Sequence, residues 1–290
     1  MSDARPGADF VRRFLFDDLD IRGAVIRLGP AWQEMTRGRD YPDPVQRLLG
    51  EMTAVTLLIG ANLKQRGRLS FQVQGHGPVS LLVIDCTQDL AFRGMASHGD
   101  LSGTDTLPGM LGDGRLTLTL QADAAAHPYQ SVVPLAGDTI AQVFEYYLAQ
   151  SEQQPARLWL FASAQTAVGL FLQRLPGADA RDADGWTRVQ QLAGTVRAAE
   201  LEHLPVADLL LRLFPDETLR LFKPAPVRYE CPENWDKVRN MLRSLGRPEI
   251  EAILSEQGEV VVHDDICNFE YRFDRQAVAH LFDDAQPATH

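Results

Sequence analysis

Residues 68–85 constrain the fold more than any other stretch of this 290-residue chain. Arg68-Leu69-Ser70-Phe71-Gln72-Val73-Gln74 alternates apolar and polar, which puts Leu69, Phe71 and Val73 on one face of a strand. Gly75-His76-Gly77-Pro78 turns the chain, and Val79 to Asp85 supplies a second strand. Two strands this close pair antiparallel, because a parallel partner needs a crossover of a dozen residues or more. A doubly wound parallel sheet is thereby disfavoured.

The same pattern recurs along the first 175 residues. Ile21–Leu28, Arg115–Gln121, Arg157–Phe161 and Val168–Leu175 have strand character, and Gly112-Asp113-Gly114 is a tight turn. Pro44 to Lys64 is expected as a helix, with Val45, Leu48, Leu49, Met52, Val55, Ile59 and Leu63 at helical spacing. A further helix is expected from an Asp138 cap to Gln150. Hairpins with separate helices define an α+β body.

Pro176 to Gly185 is small and polar, as a linker would be. Helices are expected over Trp186–Leu204 and Pro205–Phe214. In the second, Leu209, Leu210, Leu211, Leu213 and Phe214 are apolar nearly all round and require a cover. The tail has the pattern of helix (Trp235–Leu245), helix (Pro248–Ser255), hairpin (Val260–Phe273) and helix (Asp274–Phe282). The expected domains are an α+β core over 1–176, a helical linker region over 177–226 and a small C-terminal module over 227–290.

Charge and composition exclude several functions. The net charge is −11, and Val227–His290 alone carries seven Lys/Arg against thirteen Asp/Glu, so that segment repels phosphate backbones. Nucleic acid is not an expected partner. Apolar runs such as Leu81–Ile84 are far shorter than a membrane span of ~20 residues, and Met1–Gly7 lacks the apolar core of a secretory signal. A cytoplasmic protein without a membrane partner is expected. Gly112-x-Gly114 lacks the rest of a dinucleotide loop, and His76 sits in a solvated turn. An enzyme is not expected.

Three cysteines are too few for a disulfide scaffold. Cys86 ends an apolar strand and is expected as a buried small hydrophobe. Cys231 follows the strand-like Val227–Glu230, and Cys267 lies in the tail hairpin. Each half offers a single thiol where a zinc module usually offers pairs. Asp264-Asp265 beside His263 is a weak cation signal, since such carboxylates are usually just solvated.

Landmarks in fixed order connect these pieces. They include Asp20-Ile21-Arg22-Gly23, Asp40-Tyr41-Pro42-Asp43-Pro44-Val45, Gln72-Val73-Gln74-Gly75-His76-Gly77-Pro78, Phe144 to Gln153, Ile253-Leu254-Ser255-Glu256-Gln257-Gly258 and Tyr271-Arg272-Phe273-Asp274. From about Arg13 to Phe282 the chain resembles the thirty-three-kilodalton heat-shock protein family, the redox-regulated holdase chaperones of bacteria. The resemblance implies an ATP-independent chaperone that uses no nucleotide, holds unfolded or misfolded clients under heat or oxidative stress, and forms a homodimer on activation. In that family a Cys-x-Cys and a Cys-x-x-Cys pair bind one zinc, and oxidation releases it, forms two disulfides and unfolds the tail.

This sequence departs from the pattern. Cys231-Pro232-Glu233 stands in the first motif and Asp264-Asp265-Ile266-Cys267 in the second, so Glu233 and Asp264 replace two thiolates. Three outcomes stay open: a weaker mixed zinc site on Cys231 and Cys267 with Glu233, Asp264 or His263; a Cys231–Cys267 disulfide, if the module's ends meet as the resemblance implies; or two free thiols. The expectation is a holdase whose thiol–zinc switch is weakened or lost, with Leu209–Leu211, Leu213 and Phe214 as client-binding residues. A non-chaperone metal- or peptide-binding module on the same scaffold is the alternative.

Overall fold

The structure, a computed structural model, describes residues 7–63, 67–123, 127–151, 153–178 and 182–283. Met1–Pro6, Lys64, Glu152, Asp179–Arg181 of the expected linker and the end of the tail lie outside the described residues. The chain divides after Glu230 into two compact units.

The first unit opens with β1 (Phe10–Phe16), β2 (Ile21–Leu28), α1 (Pro30–Thr36) and α2 (Asp43–Gly60). Next come β3 (Gly67–Gln74), β4 (Val79–Thr87), β5 (Ala91–His98) and α3 (Leu107–Leu111). β6 (Arg115–Ala122), β7 (Tyr129–Pro134), α4 (Ile140–Ser151), β8 (Ala156–Ala162) and β9 (Ala167–Arg174) follow. After α5 (Gly185–Ala193), α6 (Ala198–His203) and α7 (Val206–Leu213) come the short strands β10 (Leu219–Leu221), β11 (Ala225–Pro226) and β12 (Arg228–Tyr229).

These strands form two sheets. One has the order β10-β1-β2-β9-β8 with β11 also on β1; the other runs β12-β5-β4-β3-β6-β7. Every pairing is antiparallel except β12 with β5, so the α+β expectation stands. α2 packs against strands of both sheets, which is why thirteen of its eighteen residues are buried rather than a single stripe. Gly50 permits that approach: a Cβ there would stand 2.5 Å from the Ala162 Cβ. Thr53 and Thr56 are buried but satisfied, their hydroxyls donating to the Leu49 and Met52 carbonyls at 2.7 Å.

The first sheet is apolar on both faces. Val11, Ala24, Ile26, Ala167 and Phe171 point toward α2, whereas Phe10, Phe14, Phe16, Ile21, Val25, Val168, Leu170 and Leu172 point the other way. This second face is covered by α5, α6 and α7 through Val189, Leu201, Val206, Leu209, Leu210, Leu213 and Phe214. A strand buried on both faces loses its alternation, which explains the continuous apolar run of β9.

Several local expectations change. The helix expected from Pro44 to Lys64 ends at Gly60. Thr139, not Asp138, caps α4: its Oγ1 accepts the Gln142 N–H at 3.2 Å, while Asp138 N–H donates to Gln142 Oε1 at 2.7 Å. The helix expected over Trp186–Leu204 is broken between α5 and α6, because Arg197 turns to an extended conformation and donates its N–H to Glu200 at 3.0 Å. The residues expected as a linker over 177–226 include the helices that cover the first sheet. Arg228–Tyr229 of the expected C-terminal module pair with Ala91–Phe92 in the first unit.

The second unit contains α8 (Trp235–Leu245), α9 (Arg247–Gln257), the hairpin β13 (Val260–Asp264) and β14 (Phe269–Phe273), and α10 (Arg275–Asp283). Its separate core is Val238, Leu242, Ile250, Leu254, Val260, Tyr271, Phe273, Val278 and Leu281.

Candidate functional site: a stapled tail and a covered apolar face

Two features outside the ordinary needs of folding stand out. The first is the cysteine pair. Asp264 ends β13 and folds back on the hairpin turn, its Oδ1 accepting the N–H of Ile266 at 3.0 Å and of Cys267 at 3.2 Å. That Asx-type turn orients Cys267. On the other side, Asn234 caps α8 by accepting the Lys237 N–H at 2.9 Å, and its own N–H donates to the Tyr271 hydroxyl at 2.7 Å. Tyr271 is fully buried against Trp235 and Phe269, each with ring centroids at 4.9 Å. The segment after Cys231 is thus pinned to β14, the strand that follows Cys267.

The two sulfurs are bonded at 1.96 Å with Cα atoms 5.5 Å apart, closing a 36-residue separation. Cys86 is the free cysteine, buried, with burial and then the neighbouring Asp85 charge pushing its thiol pKa up to about 12. At such a value the reactive thiolate is scarcely populated near neutral pH.

The donors for a mixed zinc site do not converge in this arrangement. The sulfurs are joined to each other, Glu233 accepts the Trp235 indole N–H at 2.7 Å, and Asp264 is committed to the turn. His263 Nδ1 faces Asp265 Oδ1 at 2.9 Å. Among the described residues no three His, Cys, Asp or Glu side chains are grouped to hold a metal. Zinc wants four ligands at about 2.0–2.3 Å, and thiolates rather than a disulfide.

The second feature is the helical cover. Leu209, Leu210, Leu213 and Phe214 are buried, whereas Leu211 is 63% exposed. Phe214 stands edge-on to Phe16 with centroids 5.0 Å apart. Polar ties at the cover's margin supplement this packing. Arg27 on β2 donates to the carbonyls of Leu201 and Leu204, each at 2.8 Å, and Thr166 donates to Glu202 at 2.7 Å. Sequence inspection gave no role to Arg27, Asn234 or Tyr271, the last of which it noted only within a landmark motif. Only the Asn before an apolar helix was a readable signal, as a helix-cap pattern.

The described helices include none long and apolar enough to cross a membrane. Two sheets around a buried helix, an apolar face beneath short helices and a small tail unit with its own core make up this α+β fold. The crystal structure of a 33 kDa chaperonin (heat shock protein 33 homolog) from Thermotoga maritima matches it with a TM-score of 0.82, covering 94% of this chain and 98% of that one at 22% identity. The family profile described as Hsp33 protein matches residues 9–274, and the chain belongs to this family. Relatives named 33 kDa chaperonin include those of Nitrosococcus oceani, 41% identical over 94% of both chains, and Methylobacillus flagellatus, 39% identical over 95% of this chain and 94% of that one.

Proposed function

We propose that this protein is an ATP-independent holdase that captures unfolding chains on the second face of its first sheet once α5–α7 lift away. The observation that carries this reading is the apolar face formed by Phe14, Phe16, Val25, Leu170 and Leu172 beneath helices of nine, six and eight residues. Isolated helices shorter than ~12–15 residues are marginal in water, so these three depend on the sheet for their order. Lifting them exposes two apolar surfaces together, the sheet and the inward sides of Leu209, Leu210, Leu213 and Phe214. Such a surface recognises exposed hydrophobic groups in a client rather than a sequence.

The switch on this scaffold uses one disulfide and no zinc. The Cys231–Cys267 bond holds the second unit closed, contributing on the order of 3–4 kcal/mol for a loop of this size. A dithiol reductant transfers two electrons and two protons to it, leaving two cysteine thiols and an oxidised dithiol. Only Glu230 separates β12 from Cys231, so opening the second unit removes an anchor from the end of the stretch that runs back through β11 and β10 to α7, which the pairings of β12 with β5 and of β10 and β11 with β1 continue to hold until heat loosens them. Reduction, rather than oxidation, therefore favours activity, and heat acts in the same direction.

The test is light scattering of a thermally unfolding client, without nucleotide, under oxidising, reducing and preheated conditions. Suppression of scattering is expected with preheated or reduced protein. Its absence in every condition overturns the holdase reading, and suppression confined to oxidised protein overturns the switch.

A further inference from the structure

The second unit is acidic, with six Lys/Arg against twelve Asp/Glu between residues 231 and 290. Yet its cavity, about 480 Å³ in volume, gathers Arg239, Arg243, Arg272 and His280 with Asp236 as its one acidic lining residue, beside Trp235 and Phe273. Half of the unit's Lys/Arg residues meet in this one concavity, against the trend of the surrounding charge. The elements that bring them there are separate. Arg239 and Arg243 lie one turn apart on α8, Arg272 comes from β14, and His280 from α10.

The local partners decide which charges are available. Arg272 is paired with Glu259 and Glu270. Arg243 donates to the Leu281 carbonyl and to Asn240 Oδ1, both at 3.0 Å, and neither acceptor carries charge. Arg239 meets the exposed Asp236 at 3.1 Å and lies 5.8 Å from the Trp235 ring centroid. An exposed ion pair of this kind is weak and readily exchanged. Two guanidinium forks one helical turn apart, in a cavity that an imidazole from another helix also lines, suit an anion bearing several oxygens and more than one charge.

We infer that this cavity is a binding site for a small phosphorylated molecule, with Arg239, Arg243 and His280 as the groups that hold its phosphoryl oxygens. The cavity lies within the ordinary range for small-molecule sites, roughly 300–1,000 Å³. The inference is independent of the holdase reading, because it concerns the closed second unit.

The test is calorimetric titration of the full-length oxidised protein with inorganic phosphate and with pyrophosphate at fixed pH and ionic strength. Pyrophosphate is expected to bind once per chain and more tightly than phosphate. Arg239→Gln should weaken binding about tenfold or more, and its partners above all lie on α8, so the fold should persist. Arg247→Gln on α9, which removes the same charge outside the cavity, should leave the affinity within about twofold; a loss as large as that of Arg239→Gln reduces the effect to net charge and overturns the site. Failure of pyrophosphate to bind at millimolar concentration overturns it as well.

Discussion

Glu51 shows how a residue's environment can contradict its type. It lies on α2 beside a cavity of about 460 Å³ that Arg47, Asp105 and Asp138 also line, and burial pushes its pKa up to about 7 despite Arg47. The folded protein therefore holds this proton more tightly than the unfolded chain. Glu51 is without penalty below about pH 4.5, and stability falls as the pH rises toward 7 and the folded carboxyl must ionise. Glu51→Gln should accordingly stabilise the protein more near pH 8 than near pH 5, by up to about 2–3 kcal/mol. Urea unfolding at the two pH values checks this; an equal effect at both would show that burial does not perturb Glu51. No sequence pattern marked the residue, because helical spacing places it on the nominally polar side of α2, and the groups that line its cavity come from the segment entering α3 and from the start of α4, far away in the chain. The same blindness applies to Asp264. Its spacing from Cys267 suits a replacement ligand, but spacing cannot distinguish a carboxylate facing a metal from one folded onto its own backbone.

At the scale of elements, the cover is the vulnerable part. Phe214 is fully buried against Phe16, and truncating such an aromatic costs about 3–5 kcal/mol. Since α5–α7 are too short to persist alone, this loss should fall on the cover first and on the sheet later. Phe214→Ala is expected to raise amide exchange across 185–213 while β2 and β9 stay protected, and to suppress client aggregation at a lower temperature than the parent protein. Equal loss of protection in cover and sheet would mean that they unfold as one. Strict alternation made β3, β4 and β6 legible to within a residue or two at their ends, whereas α1, β5 and α3 carry no comparable signal. β1 was missed because adjacent Arg12 and Arg13 interrupt its apolar run. Arg12 is nevertheless buried, with its Nε donating to the Phe222 carbonyl at 3.0 Å. β7 was missed at the sheet's edge, and β10 and β11 are too short to carry a period, whereas β12 lies within the strand-like Val227–Glu230.

At the scale of the molecule, the two units have separate cores, and the disulfide constrains only the second. A unit of about 60 residues buries too little apolar surface to be robust without a staple. The two missing thiolates therefore change more than metal affinity. With four thiols, two motif-local disulfides can form and the ends of the module separate; with one thiol at each end, the available bond joins those ends. The sequence could name the two partners but could not choose between bond, metal and free thiols, since that choice depends on the Asp264 turn and the Tyr271–Asn234 tie meeting in space. Reduction should lower the second unit's stability by about 3–4 kcal/mol while leaving the first unit's main transition in place. Cys231→Ser with Cys267→Ser should reproduce the reduced behaviour and remove the response to peroxide, because Cys86 is buried and its thiolate is suppressed. Differential scanning calorimetry with and without a dithiol, paired with client-aggregation assays, checks both statements. A second unit whose melting ignores reduction would leave the bond without a regulatory role; a double variant that still answers to peroxide would move the sensor elsewhere in the chain.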